Sequence, residues 1–188
     1  MSSERLWAPW RLAYVTGEHE KAIELPEPIS WLPHADHSCF LCRDAATFES
    51  NDIADRAQLV VTRGKSTMVV LNRFPYNNGH LLVAPLRHAG ELSALSADEH
   101  LECIEVLGQL TTLYRKVLNA EGFNIGLNLG RVAGAGLPGH LHWHLVPRWA
   151  GDTNFMPALA GIRVIPQSLE ALWELLRDAL ESEDFGRH

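Results

Sequence analysis

The chain has 188 residues, 46% of them hydrophobic, and a formal net charge of −7, which is enough apolar material for one proper core and too little chain for two full domains. Net negative charge opposes the diffuse attraction to phosphates behind non-specific nucleic-acid binding, so a polymeric nucleic-acid partner is excluded and any nucleotide must be held by a local site. No stretch approaches the ~18 continuous apolar residues of a membrane span, and "MSSERLWAPWRLAYV" lacks the apolar core of a secretory signal. The expectation is a soluble, cytoplasmic protein with no membrane partner.

Residues 1–37 hold Trp7, Trp10, Trp31 and the prolines 9, 26, 28 and 33 without sustained periodicity, and read as an extension pinned by its tryptophans. Next comes Cys39-Phe-Leu-Cys42; three cysteines with this spacing suit a reducing compartment and a metal knuckle better than a disulfide framework, and Cys103 packs within a helical pattern. "LVVTRGKSTMVVLN" (59–72) places two β-branched runs around Arg63-Gly64-Lys65-Ser66 and predicts a hairpin, and "GHLLVAP" (79–85) predicts a further strand after a turn. Ser96 and Glu99 form a capping box, after which Leu101, Ile104, Leu107, Leu110, Tyr114, Val117 and Leu118 recur at helical spacing until Gly122. "FNIGLNLG" and "HLHWHLVPRW" predict two more strands around the glycine-rich "GRVAGAGLPG", and Ser168 caps a last helix carrying Leu169, Leu172, Trp173, Leu176 and Leu180. The expected fold is α+β, a mainly antiparallel five-stranded sheet with one long helix and a C-terminal helix. The expected organisation is an extension (1–37), a domain (38–150) and a C-terminal loop and helix (151–188).

His140, His142 and His144 alternate with Leu141, Trp143 and Leu145. In a strand all three imidazoles share one face while the apolar residues pack behind, and Pro147 marks the strand's end or an edge position. A single histidine is more often an ordinary satisfied side chain, but three on one face beside a glycine-rich loop indicate a site. Imidazole titrates near neutral pH, attacks phosphorus and binds metal, and glycine lets backbone N–H groups approach a phosphate.

"HLHWHLVPR" resembles the His-x-His-x-His-x-x motif, with apolar x, of the histidine triad superfamily of nucleotide hydrolases and transferases. "VVLNRFPYNNGHLLVAPLRH" lies upstream in the expected order, so the resemblance spans residues 38–150. "PRWAGDTNF", "GFNIGLNLG" and "LWAPWRLAYV" look most like the bacterial branch that includes diadenosine tetraphosphate phosphorylases. The resemblance implies that His142 attacks the α-phosphorus and carries a nucleotidyl group, that His144 stabilises the phosphoryl charge, and that His80 supports the site from a neighbouring strand. It also implies that Asn72 binds the ribose hydroxyls and Asn128 helps hold phosphate. Gly136-Leu137-Pro138-Gly139 departs from relatives with Ser or Gln in this loop, which leaves phosphate to backbone donors around Gly136; Arg131 and Arg148 flank the site and are candidate sources of charge.

In zinc-bearing members a Cys-x-x-Cys pair joins two histidines, here His88 and His140, so the resemblance implies a closed, structural Zn2+ site at Cys39, Cys42, His88 and His140, with His34 and His37 as poorer alternatives. It further implies a homodimer through the helix 96–120 and an adjacent strand. The expected substrate is a dinucleoside polyphosphate bearing adenine nucleotide, with inorganic phosphate or water as acceptor. Alternatives are an adenosine phosphoramidase-type hydrolase and a non-catalytic nucleotide-binding protein.

Overall fold

A computed structural model describes residues 25–152 and 166–182. Trp7, Trp10 and the end of "PRWAGDTNF" lie outside the described residues. The elements run α1 (Phe40–Asp44), α2 (Asn51–Gln58), β1 (Val60–Arg63), β2 (Thr67–Leu71), β3 (Leu81–Pro85), α3 (Ala97–Val117), β4 (Gly122–Leu127), β5 (Trp143–Arg148) and α4 (Leu169–Ser182), with single 3-10 turns at Leu92–Ala94 and Arg131–Ala133. The strands form one five-stranded sheet in the order β1-β2-β3-β5-β4, and every neighbouring pair is antiparallel. The fold is α+β, as the periodicities predict. No helix among the described residues is long and apolar enough to cross a membrane.

Every residue of β2 and β3 is buried because both faces of the sheet are covered. Val69, Leu71, Leu81, Val83, Trp143 and Leu145 point to one face, against Leu107, Leu110 and Tyr114 of α3 and Leu172 and Leu176 of α4. The alternate residues Met68, Val70 and Ala84 point to the other, against Cys39, Leu41 and Cys42 around α1. Period-two alternation thus splits each strand between two cores. The predicted capping box is present, with Ser96 accepting from the Glu99 amide and Glu99 accepting from the Ser96 amide. Leu101 and Ile104 depart from the expected stripe: each is 57% exposed, because the face turned to the sheet is that of Cys103, Val106, Leu107, Leu110, Leu113 and Tyr114.

The terminal triad strand also differs from its sequence outline. The β5 ladder begins only at Trp143, since Leu141 donates to the Ala89 carbonyl and His140 fills the Pro85 carbonyl with its ring. Pro147 lies inside β5, opposite Phe123 of β4, but beyond the last residue paired with β3, so its missing donor faces a local edge.

The turn between β2 and β3 is pinned to the core at Gly79. Its φ of 75° is left-handed, a Cβ there would stand 3.2 Å from both Pro147 Cγ and Tyr114 Cε2, and its carbonyl accepts from the buried Tyr114 hydroxyl at 2.9 Å.

The C-terminal helix belongs to the same core. Trp173 is buried against it, its indole N–H donates to the Val60 carbonyl at 2.8 Å, and the Arg56 and Arg177 guanidinium groups lie 5.8 Å and 5.6 Å from its ring centroid. Trp173→Ala should lower unfolding free energy by about 3–5 kcal/mol in urea titration. Trp173→Phe, which mainly deprives the Val60 carbonyl of its donor, should cost about 1–3 kcal/mol. A Trp173→Ala loss within 0.5 kcal/mol, the usual range of surface substitutions, would show that α4 contributes nothing to the core.

Candidate functional site

The triad segment and the β2–β3 turn meet on the sheet face shared with α1. His80 immediately precedes β3 and is wholly buried; Leu82 of β3 is the register partner of His144 in β5, which sets the two imidazoles side by side with Nε2 of His80 3.0 Å from Nδ1 of His144. The direction of that hydrogen bond follows from the backbone. The Tyr76 amide, which can only donate, points at His80 Nδ1 from 3.1 Å. His80 Nδ1 is therefore an acceptor, its proton resides on Nε2, and it donates to His144 Nδ1. A neutral His144 must then carry its own proton on Nε2. Burial, with a smaller contribution from neighbouring His142, lowers the His144 pKa and favours this neutral form. The Asn128 side-chain amide stands 3.4 Å from His144 Nε2, and an N–H at that nitrogen calls for the amide oxygen to face it.

His142 has the opposite tautomer. Its Nδ1 lies 2.8 Å from the carbonyl oxygen of His140, which only accepts, so Nδ1 holds the proton and Nε2 keeps its lone pair. The His142 and His144 rings meet edge to face with centroids 5.1 Å apart. The site thus pairs an imidazole lone pair with an imidazole N–H donor, the two groups needed to attack an electrophilic centre and stabilise the charge developing on it.

A second cluster adjoins the first. Cys39 caps α1 and Cys42 sits in its first turn, which brings both sulfurs together. With His88 and His140 they form a group whose ligand atoms all lie within 4.8 Å of one another. Sulfur and imidazole nitrogen on one tetrahedral ion, at ~2.3 Å and ~2.0 Å, stand ~3.5 Å apart. The observed separations are 3.4 Å (Cys39 Sγ to His140 Nδ1), 3.6 Å (Cys42 Sγ to His140 Nδ1) and 3.2 Å (Cys42 Sγ to His88 Nδ1). A single cation satisfies all four residues at once, each offering one ligand atom to it. His140 Nε2 donates to the Pro85 carbonyl at 2.8 Å, which frees Nδ1 as the ligand atom. Burial lowers the His140 pKa to about 4 and so keeps the ring neutral, while burial pushes the Cys39 thiol up to about 12, a proton a cation would displace. The residues fit a metal, and two sulfurs with two nitrogens make a closed set that leaves no place for a reactive water.

The remaining expected residues are placed less uniformly. Asn72 adjoins His80, with its amide nitrogen 3.3 Å from His80 Nδ1. Gly136 lies exposed in the loop before the triad, and a Cβ there would meet nothing within 4 Å, so this stretch leaves open space. Arg148 engages the Asp152 carboxylate (2.6 Å and 2.8 Å) and Asn124 (2.9 Å), a structural tie between β5, β4 and the following loop. Arg131 is exposed in its 3-10 turn. His37 stacks on Trp31 with centroids 4.2 Å apart and stands outside the metal cluster, as does His34. Sequence reasoning missed Tyr76, whose ring lies 4.8 Å from His80 and 5.8 Å from His144. The available signal was an aromatic in the short turn between two candidate site residues, Asn72 and His80.

Comparison with known proteins agrees with this geometry. Residues 54–151 match the HIT domain family model. The chain is 39% identical over 174 residues to AP-4-A phosphorylase of Mycobacterium tuberculosis, covering 92% of this chain and 82% of that protein. It is 32% identical over 93 residues to the asymmetrical bis(5'-nucleosyl)-tetraphosphatase of Schizosaccharomyces pombe, half of each chain. Its fold superposes on a zinc-bound histidine triad family protein of Mycobacterium smegmatis with a TM-score of 0.56 and 29% identity, covering 68% of this chain and 86% of the other. The protein therefore belongs to the histidine triad (HIT) domain family.

Proposed function

We propose that this protein is a nucleotidyl hydrolase or transferase that cleaves dinucleoside polyphosphates of the diadenosine tetraphosphate type through a nucleotidyl-His142 intermediate. The observation that carries the reading is the set of one-way hydrogen-bond partners, the His140 carbonyl at His142 Nδ1 and the Tyr76 amide at His80 Nδ1, which assigns a lone pair to His142 Nε2 and an N–H to Nε2 of the adjacent His144. In the first step the Nε2–phosphorus bond forms and the bond from the α-phosphorus to the polyphosphate oxygen breaks. The leaving polyphosphate takes the electron pair, and the His144 N–H stabilises charge on the phosphoryl oxygens with Asn128 and the backbone around Gly136. Asn72 faces the ribose. In the second step an acceptor oxygen attacks phosphorus and His142 departs with its lone pair restored. The open loop at Gly136 and the likeness to AP-4-A phosphorylase favour inorganic phosphate over water as acceptor.

Product analysis with labelled phosphate tests the reading. Diadenosine tetraphosphate should yield ATP and labelled ADP; AMP with no label in ADP would assign water as the acceptor. His142→Ala should retain nucleotide binding and lose at least a thousandfold in kcat, the scale for removing a covalent nucleophile. Near wild-type turnover would sink the mechanism.

The metal cluster is assigned to one structural Zn2+, which would hold α1 and the His140 segment together. Cys42→Ser should lower zinc content and melting temperature together. Equal stability of metal-free protein, purified without chelator, would refute the assignment. Buried, free cysteines suit the reducing cytoplasm proposed as its compartment.

A second copy of the chain is the proposed occupant of the β4 edge. β4 ends the sheet, its Ile125 is 47% exposed, and the α3 residues Leu101 and Ile104 present apolar surface to solvent. Light scattering at micromolar concentration should give a dimer, and Ile104→Glu should shift it towards monomer; a wild-type monomer would exclude this pairing.

A further inference from the structure

The β2–β3 turn carries more than a ribose contact at Asn72. Asn72 and His80 face each other across the mouth of the hairpin, where the Asn72 amide donates to the His80 carbonyl at 2.9 Å. The side-chain amide of Asn72 has only one orientation available. The Phe74 backbone N–H, a pure donor, points at Asn72 Oδ1 from 2.9 Å, so Nδ2 is the end that faces His80 Nδ1 at 3.3 Å. Two donors, the Tyr76 amide and Asn72 Nδ2, thus converge on a single ring nitrogen of a wholly buried histidine.

We infer that Asn72 is a positioning residue acting through His80: with the Tyr76 amide it confines the His80 proton to Nε2, and so makes His144 present an Nε2–H to the phosphoryl group. The inference rests on the nucleotidyl-transfer reading for its kinetic consequence, but not for the tautomers themselves. The donors run in one direction, from the turn to His80 Nδ1, from His80 Nε2 to His144 Nδ1, and from His144 Nε2 to the Asn128 amide oxygen, which a phosphoryl oxygen would displace in the proposed reaction. Reversing any of them sets two hydrogens or two lone pairs against each other.

This order gives asparagine a reason at position 72 that recognition of a ribose does not supply. A carboxylate is the same size and accepts from hydroxyl groups equally well, but it has no hydrogen to give His80. Asp at this position would draw a proton onto His80 Nδ1, beside the hydrogen of the Tyr76 amide. Asn72 still retains one N–H and one lone pair for a substrate, so ribose recognition and tautomer control coexist in one side chain. They are separable by experiment.

The tests are 15N spectra of the histidine side chains, and kinetics on diadenosine tetraphosphate and its 2',3'-dideoxy counterpart. In the wild-type protein at neutral pH, His80 and His144 should each show a protonated Nε2 and an unprotonated Nδ1. In Asn72→Asp, His80 Nδ1 should become protonated. Asn72→Ala should lower kcat about tenfold, the scale of one lost hydrogen bond, by the same factor on the natural and the dideoxy substrate, with the lost ribose contact appearing only as a raised KM on the natural substrate. A loss confined to KM that disappears on the dideoxy substrate would reduce Asn72 to a ribose contact. A wild-type His80 protonated on Nδ1, or an Asn72→Asp protein whose His80 Nδ1 stays bare, overturns the inference even where the alanine variant fails to fold. If the wild-type protein turns over neither substrate, the proposed function fails, and the spectra still decide the positioning role.

Discussion

The site depends on the complete commitment of His140. The residue is wholly buried, and three of its polar atoms have assigned partners: Nδ1 towards the sulfurs of Cys39 and Cys42, Nε2 to the Pro85 carbonyl, and its own carbonyl to His142 Nδ1. A buried polar group without a partner costs more than a satisfied one gains, so these bonds hold the segment in one conformation. The same residue therefore belongs to both clusters: its ring completes the metal set and its backbone orients the nucleophile. Gly139 lets this segment approach the cluster, since a Cβ there would already stand 3.3 Å from His88 Nε2.

The sheet provides the second half of the alignment. Antiparallel pairing places Leu82 opposite His144, and the turn that Gly79 anchors to α3 delivers His80 and the Tyr76 amide to the same spot. The site is thus built from two backbone ladders and a tight turn rather than from long flexible side chains. The hydrogen bonds that aim the imidazoles are formed without a substrate, the condition under which donors stabilise developing charge most effectively. The Trp143 and Leu145 side chains, on the opposite face of β5, lock the triad segment to α3 and α4 through the larger core.

Much of this was legible in the chain itself, for identifiable reasons. The Ser96–Glu99 capping box and the alternation of His140, His142 and His144 are local patterns with a single structural solution each, and both survive although the ladder reaches only His144 of the three. Before the strand begins, hydrogen bonds from the Leu141 amide to Ala89 and from the His140 ring to Pro85 hold the segment beside β3 in place of ladder pairing. The metal set joins residues 39, 42, 88 and 140, so spacing alone supplied the Cys pair and the resemblance supplied the histidines. Helix α1 is too short, at 5 residues, to show an apolar period, and α2 has only Ile53, Ala54 and Ala57 as apolar side chains. Arg148 is drawn into the Asp152 and Asn124 network, and the Tyr76 amide is a backbone donor on which residue identity is silent.

The central claim is that His142 Nε2 is the atom to which the nucleotidyl group becomes bonded. The most direct measurement is a rapid alkaline quench, under which a phosphorus–nitrogen bond to imidazole survives, of protein mixed with diadenosine tetraphosphate labelled at the α-phosphorus, followed by peptide mapping. The account predicts label on the peptide containing His142, localised to that residue by fragmentation, formed within the first turnover and transferred to ADP on adding inorganic phosphate before the quench. Label that never appears on protein while product accumulates, or label on His80 or His144 instead, would contradict it.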